Sequence, residues 1–319
     1  MSHDVVAALP PFAAAAVTVA LAAVVARRGF ERRMHQALVM LLLCFAGIAL
    51  AAGMMFYHLS GLPVERTAES APWERLQWHL YSVAFLLILL LTLLTSPQAS
   101  RLPGWAQQPL VWMAAAAPLS VAYALDHDAL TGGGVFTILF YGLALAAGAT
   151  AFVFYRRARR ARSSAERDQH LLLGTGMVLY NIYEARRIAF LAVELATELP
   201  PASRVLDYLL NGATLLTGLL FPPLVLWRAW RERAGGGGGY ARAGAIGGIV
   251  LLAATVDSAL VLRSWLTGAP IPPTLIILLR TVFGIALASG VLAYAVLRTG
   301  VPGLDVRVRR GVRGGTIAA

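Results

Sequence analysis

Nine apolar runs of about 20 residues, separated by short polar connections, dominate the sequence. A run of that length spans the ~30 Å hydrocarbon layer of a bilayer as a helix. In lipid every backbone N–H and C=O must be satisfied within the segment, which favours the helix. The runs cover roughly 8–26, 37–57, 77–95, 108–125, 134–155, 170–195, 205–227, 244–266 and 272–297. Pro10 and Pro11 interrupt the first run near its start. The expected fold is an all-α, polytopic transmembrane helical bundle. Composition agrees, because 58% of the residues are hydrophobic and 13% charged. A soluble domain carries about 25% charged residues to cover its core.

All 27 basic side chains are arginines. Without lysine there is no retinal Schiff base and no P-loop of the usual kind. The arginines alternate between connections. One set holds Arg27, Arg28, Arg32 and Arg33, then Arg101, Arg156, Arg157, Arg159, Arg160, Arg162 and Arg167. It continues with Arg228, Arg231, Arg233 and Arg242, and ends with Arg298, Arg307, Arg309, Arg310 and Arg313. The opposite connections carry Glu65, Glu69, Glu74, Asp126, Asp128 and Glu198, with few arginines. The positive-inside rule then places the N-terminus outside and the C-terminus in the cytoplasm of an inner (plasma) membrane protein. Nine spans satisfy the required odd number. The net charge of +11 is on this reading a topology signal and a match to anionic headgroups, not a nucleic-acid surface. Trp78, Trp105, Trp112, Trp227, Trp230 and Trp265 fall near span ends, where interfacial rings are expected. His35 and His170, at cytoplasmic helix ends, are expected to face headgroups. The N-terminal run lacks a basic flank before it and reads as a retained helix rather than a signal peptide.

Gly235 to Gly239 form a run that reads as a flexible connector. It divides the chain into a seven-helix unit at 1–233, a linker at 234–243, a helical hairpin at 244–298 and a basic tail at 299–319. Small residues recur within spans: Ala49 and Gly53, Gly142, Ala146 and Gly148, and Gly244 with Gly248. Such faces allow helices to approach closely, either within the bundle or between subunits. Cys44, the only cysteine, lies in an apolar run and reads as a small buried hydrophobe.

Ionisable residues within spans mark functional candidates. Tyr180, Glu184, Arg187 and Glu194 share one face of span six, with Tyr183 and Arg186 beside it. Counting from the outer loop near residue 198 puts Glu184 level with Asn211 and Arg187 near Asp207. In the last hairpin, whose outer turn at 267–270 is centred near residue 269, Asp257 lies about twelve residues before that centre and Arg280 about eleven after it, so the two share a depth at the helical rise. Gly284, one turn from Arg280, leaves room for its guanidinium. Two readings follow. One is a set of neutralised pairs that orient helices, with Arg186, Arg187, Arg263 and Arg280 balanced by Glu184, Glu194, Asp207 and Asp257. The other is an outer-half polar cavity whose ligand set is Tyr180, Tyr183, Glu184, Arg186, Arg187, Asp207, Asn211, Asp257 and Arg280. Its arginine forks suit the carboxylate or phosphate of a small anionic or amphiphilic ligand.

His58, His79 and His127, with Asp126 and Asp128, offer a minor option for a metal or haem on the outer side. No HxxxH or HExxH spacing supports it, and no cofactor is expected. Neither GxSxG nor a serine–histidine couple at common depth occurs, which points away from an enzyme.

Two motifs bear on kinship. Ala71-Pro72-Trp73-Glu74-Arg75-Leu76 precedes span three, and Arg167-Asp168-Gln169-His170-Leu171-Leu172-Leu173-Gly174 opens span six. With them, residues 12–232 resemble the seven-helix membrane sensor region of some bacterial histidine kinases and diguanylate cyclases. The resemblance implies signal transduction. Those proteins continue into a cytoplasmic catalytic domain, where this chain has a glycine linker and two further helices, so any output passes through a partner protein. The expected function is a non-enzymatic receptor-like or accessory subunit of the membrane. A transporter of a small organic anion and a membrane anchor of a redox complex are the alternatives.

Overall fold

A computed structural model describes residues 3–30, 32–58, 71–96, 99–118, 135–161, 163–180 and 278–300, with some isolated positions besides. Among them the chain is helical, with no strand. The elements are α1 (His3–Gly29), α2 (Arg33–His58), α3 (Ala71–Leu94), the short 3-10 turns Ala99–Arg101 and Gly104–Gln107, α4 (Pro109–Ala115), α5 (Val135–Arg160) and α6 (Ser164–Tyr180). A π-helical segment, Arg280–Leu287, then leads into α7 (Ala288–Gly300). Three stretches, Ala8–Gly29, Arg33–Tyr57 and Arg75–Leu94, are long and apolar enough to cross a membrane, and Thr281–Leu297 forms a shorter apolar helix. Span seven, most of span eight, the 234–243 linker and the tail beyond residue 300 lie outside the described residues.

Local chemistry sets the turns. After α1 the chain reverses within three residues, with Arg32 N–H bonded to Gly29 O at 3.0 Å. The His35 ring packs 3.5 Å from where a side chain on Gly29 would begin. Between α5 and α6, the Ser163 hydroxyl accepts the Glu166 N–H at 3.1 Å. That is the serine half of a capping box and satisfies one of the orphan donors of the first turn. The connection after α3 closes on itself: Gln107 donates to Leu102 O at 2.8 Å and Ala99 O at 3.3 Å, and Trp112 Nε1 donates to Ala106 O at 2.8 Å. α1 continues through Pro10 and Pro11.

The helix register is mutually consistent. Gln77 of α3 donates to Ile48 O of α2, Arg157 of α5 to Thr92 O of α3, and Phe154 meets Gly174 of α6. Phe45 of α2 stacks on Tyr180 of α6, with ring centroids 4.4 Å apart. Together these contacts require α1 and α2, α2 and α3, and α5 and α6 to run antiparallel, with α3 parallel to α5. The turns at 29–33 and 160–164 and the C-terminus of α3 therefore lie at one end of the bundle. That end carries the exposed Arg27, Arg28, Arg32, Arg33, Arg101, Arg156, Arg159 and Arg160. The basic connections that are described thus share one end.

Small residues seat neighbouring helices. A Cβ on Gly53 would lie 2.7 Å from the Phe12 ring of α1, and one on Gly47 2.7 Å from Leu80 of α3. The Ala49–Gly53 face is accordingly internal packing. Hydroxyls inside the bundle mostly bond back to their own helix, as Ser82 does to Trp78 O and Thr92 to Ile88 O, which satisfies them without a partner helix. Trp78, expected at a membrane interface, is instead 4% exposed and packs near Tyr81. It lies two turns inside α3, where neighbouring helices cover it. Trp105 keeps the expected exposure, at 65%.

Candidate functional site

The outer-half set divides between described and undescribed residues. Tyr183, Glu184, Arg186, Arg187, Asp207, Asn211 and Asp257 lie outside the described residues, as does His127. Tyr180 ends α6, fully buried in the stack with Phe45. Arg280 opens the π-helical segment. That segment packs against α1, α2 and α6 as well as its continuation α7. Gly176 meets Leu292 and Ala288, which places Tyr180 near the depth of residue 286. Arg280, six residues earlier in the segment, then lies farther from the basic end. The two candidates therefore stand on adjoining elements at different depths. His58 ends α2 and His79, half-buried, lies in the third turn of α3. Among the described residues no three metal-ligating side chains gather.

The π geometry has a local rationale. Gly284 and Ala286 are small, and the segment is flanked by hydroxyls that satisfy backbone groups or bridge helices. Thr281 donates to Leu278 O at 3.2 Å, and Thr18 of α1 meets Ser289 of α7 at 3.5 Å, both buried. Runs of i→i+5 bonding are rare and concentrate at functional sites.

A second polar group, at the basic end, was not picked out by reading the sequence. Arg157 Nη1 donates to Thr92 O at 2.6 Å and to Thr95 Oγ1 at 3.2 Å. Its guanidinium lies 5.9 Å from the Phe154 ring centroid. Behind it, His170 is tilted against Phe154 at 6.2 Å and approaches Glu166 with Nε2 at 3.9 Å. Arg157 lies past the apolar run of its helix, and burial lowers its pKa from the ordinary arginine value. Periodicity could have marked it: Ala147, Thr150, Ala151, Phe154 and Ala158 are all buried, and Arg157 borders that face, whereas Arg156, Arg159 and Arg160 continue the exposed one.

His35 and His170 do not face headgroups as expected. They are 2% and 4% exposed, because each sits within the first two turns of its helix, where the adjoining helix covers it. The Nδ1 atoms of both have no hydrogen-bond partner among the described residues.

The Arg157 clamp satisfies the Thr92 carbonyl oxygen near the end of α3, where a cation also complements the helix dipole. Arg157→Gln is expected to cost about 1.5–3 kcal/mol, the range for hydrogen bonds involving a charged group. SDS-induced unfolding would measure it, and a loss no greater than that of Arg159→Gln would remove the clamp from the account.

No family model matches the chain, and no curated protein or solved structure shows similarity to it.

Proposed function

We propose that this is a non-enzymatic, multi-pass inner-membrane protein of nine spans, receptor-like or an accessory subunit, with its N-terminus outside. It binds a small anionic or amphiphilic ligand in the outer half of spans six to nine and passes the signal to a partner at the basic cytoplasmic face. The observation that carries this reading is the packing of the Arg280–Leu287 π segment against α6, the helix that ends at Tyr180. An irregular helix carrying an arginine, deep in an apolar bundle, is a functional candidate by default. On the sequence reading span six continues past Tyr180, and one further turn of about 5.4 Å brings Glu184 towards the depth of Arg280. Arginine and tyrosine would hold the ligand's carboxylate or phosphate, with Glu184 and Asp257 balancing the arginines in its absence. The likeness of residues 12–232 to sensor regions supports signalling.

Native mass spectrometry after gentle extraction from the source membrane tests the reading. A stoichiometric protein partner is expected, together with a bound small anion. A lone, ligand-free chain would sink the proposal. A transporter is the second reading, favoured specifically by the π segment, because interrupted helices line substrate sites in secondary transporters. Uptake of a small organic anion into proteoliposomes would establish it; a receptor shows none.

A further inference from the structure

The outward face of α5 changes character along its length. Ala146, Ala149 and Phe152 are exposed, the last at 72%, and Arg156, Arg159 and Arg160 continue the same face at helical spacing. Leu93, on the helix that Arg157 clamps, is exposed as well. Arg157 lies beside this face. It has no carboxylate within ion-pair distance among the described residues, and its contacts are with neutral oxygens and the Phe154 ring. Its Nη1 is fixed on α3, while Nε and Nη2 have no protein partner among the described residues. α5 contains no acidic residue, so nothing on the helix offsets the four arginines.

We propose that the ends of α3 and α5 form a specific site for one anionic phospholipid. Its phosphate is held by Arg157 together with Arg156, Arg159 or Arg160, and an acyl chain lies along Phe152 and Leu93. The order of the surface, apolar and then basic within two helical turns, matches a molecule with a hydrocarbon tail and a charged head. It does not match a soluble anion, which has no use for the exposed Phe152. Guanidinium binds phosphate through paired N–H groups. The hold on Thr92 orients the side chain before the lipid arrives, so less rotamer freedom is lost on binding. The site lies at the opposite end of the bundle from the outer-half cavity and does not depend on it.

The test uses the full chain in micelles of a neutral detergent titrated with phosphatidylglycerol, bound lipid being counted by native mass spectrometry. Each arginine near an anionic lipid contributes about fivefold in affinity. Arg157→Gln is expected to weaken retention of one phosphatidylglycerol several-fold. Arg156→Gln/Arg159→Gln/Arg160→Gln, which changes only exposed side chains, is expected to weaken it at least about tenfold. That triple variant keeps the test valid if Arg157→Gln does not fold. Arg27→Gln/Arg28→Gln, at the end of α1, is expected to retain the lipid. Equal loss in this control would show diffuse attraction and overturn the site, as would unchanged binding in the triple variant. Glycerol 3-phosphate and inorganic phosphate are expected not to displace the lipid; displacement by either would identify a soluble-anion site instead.

Discussion

Gly176→Leu is expected to destabilise the protein by about 3 kcal/mol, at the upper end of the range for overpacking a close-packed interior. The reason lies in the seam between α6 and α7. A Cβ on Gly176 would stand 2.7 Å from both Cγ and Cδ2 of Leu292, and 3.4 Å from the carbonyl oxygen of Ala288. Leu292 is itself fully buried, so its branch cannot swing out to solvent. The backbone oxygen behind it belongs to the first residue of α7. Relief therefore needs the helices to separate. Separation matters more in a bilayer than in water, because lipid tails are as apolar as leucine and association rests on close contact. SDS-induced unfolding of the purified protein would read the loss. Leu292→Ala in the same chain is expected to restore part of it, a coupling that a double-mutant cycle isolates. If Gly176→Leu is as stable as the parent, or if Leu292→Ala adds its full cost to it, the seam is not the constraint.

Much of this packing was legible in advance. Apolar run length marked α1, α2 and α3 as membrane helices, because hydrocarbon thickness fixes that length independently of neighbours. The Arg distribution anticipated which connections share an end, since each span reverses direction. What the sequence left open depends on contacts between helices. His35 and His170 look like headgroup-facing residues when only their position along a helix is considered. Their burial follows from the adjoining helix, which no run length encodes. Arg157 is one arginine among six in its connection, and only its place beside the buried face of α5 sets it apart. The π geometry of Arg280–Leu287 had no signature beyond Gly284, because the ordinary helix has the same composition. Of the outer-half site, the structure brings the elements bearing Tyr180 and Arg280 together. The partners assigned to them from spacing lie outside the described residues.

The largest effect is expected at Arg280. If Asp257 neutralises it, as their spacing in the sequence implies, Arg280→Ala strands a carboxylate within a membrane span and is expected to cost about 3–5 kcal/mol. Arg280→Ala/Asp257→Ala is expected to cost less than the single change, since it removes both charges and leaves no uncompensated ion. The inversion follows from desolvation: an unpaired charge in hydrocarbon loses its hydration without a partner, whereas two alanines lose only contacts. Arg263, in span eight, is exposed, and Arg263→Ala is expected to change stability by less than about 0.5 kcal/mol. SDS-induced unfolding of the four proteins separates the outcomes. A double variant as unstable as Arg280→Ala, or more so, would refute the pairing. A pair confirmed by the inversion still admits both structural and ligand-binding roles. An anionic ligand that replaces Asp257 as the counter-charge would stabilise Asp257→Ala more than the parent, because only there is the guanidinium uncompensated. A purely structural pair predicts no such difference.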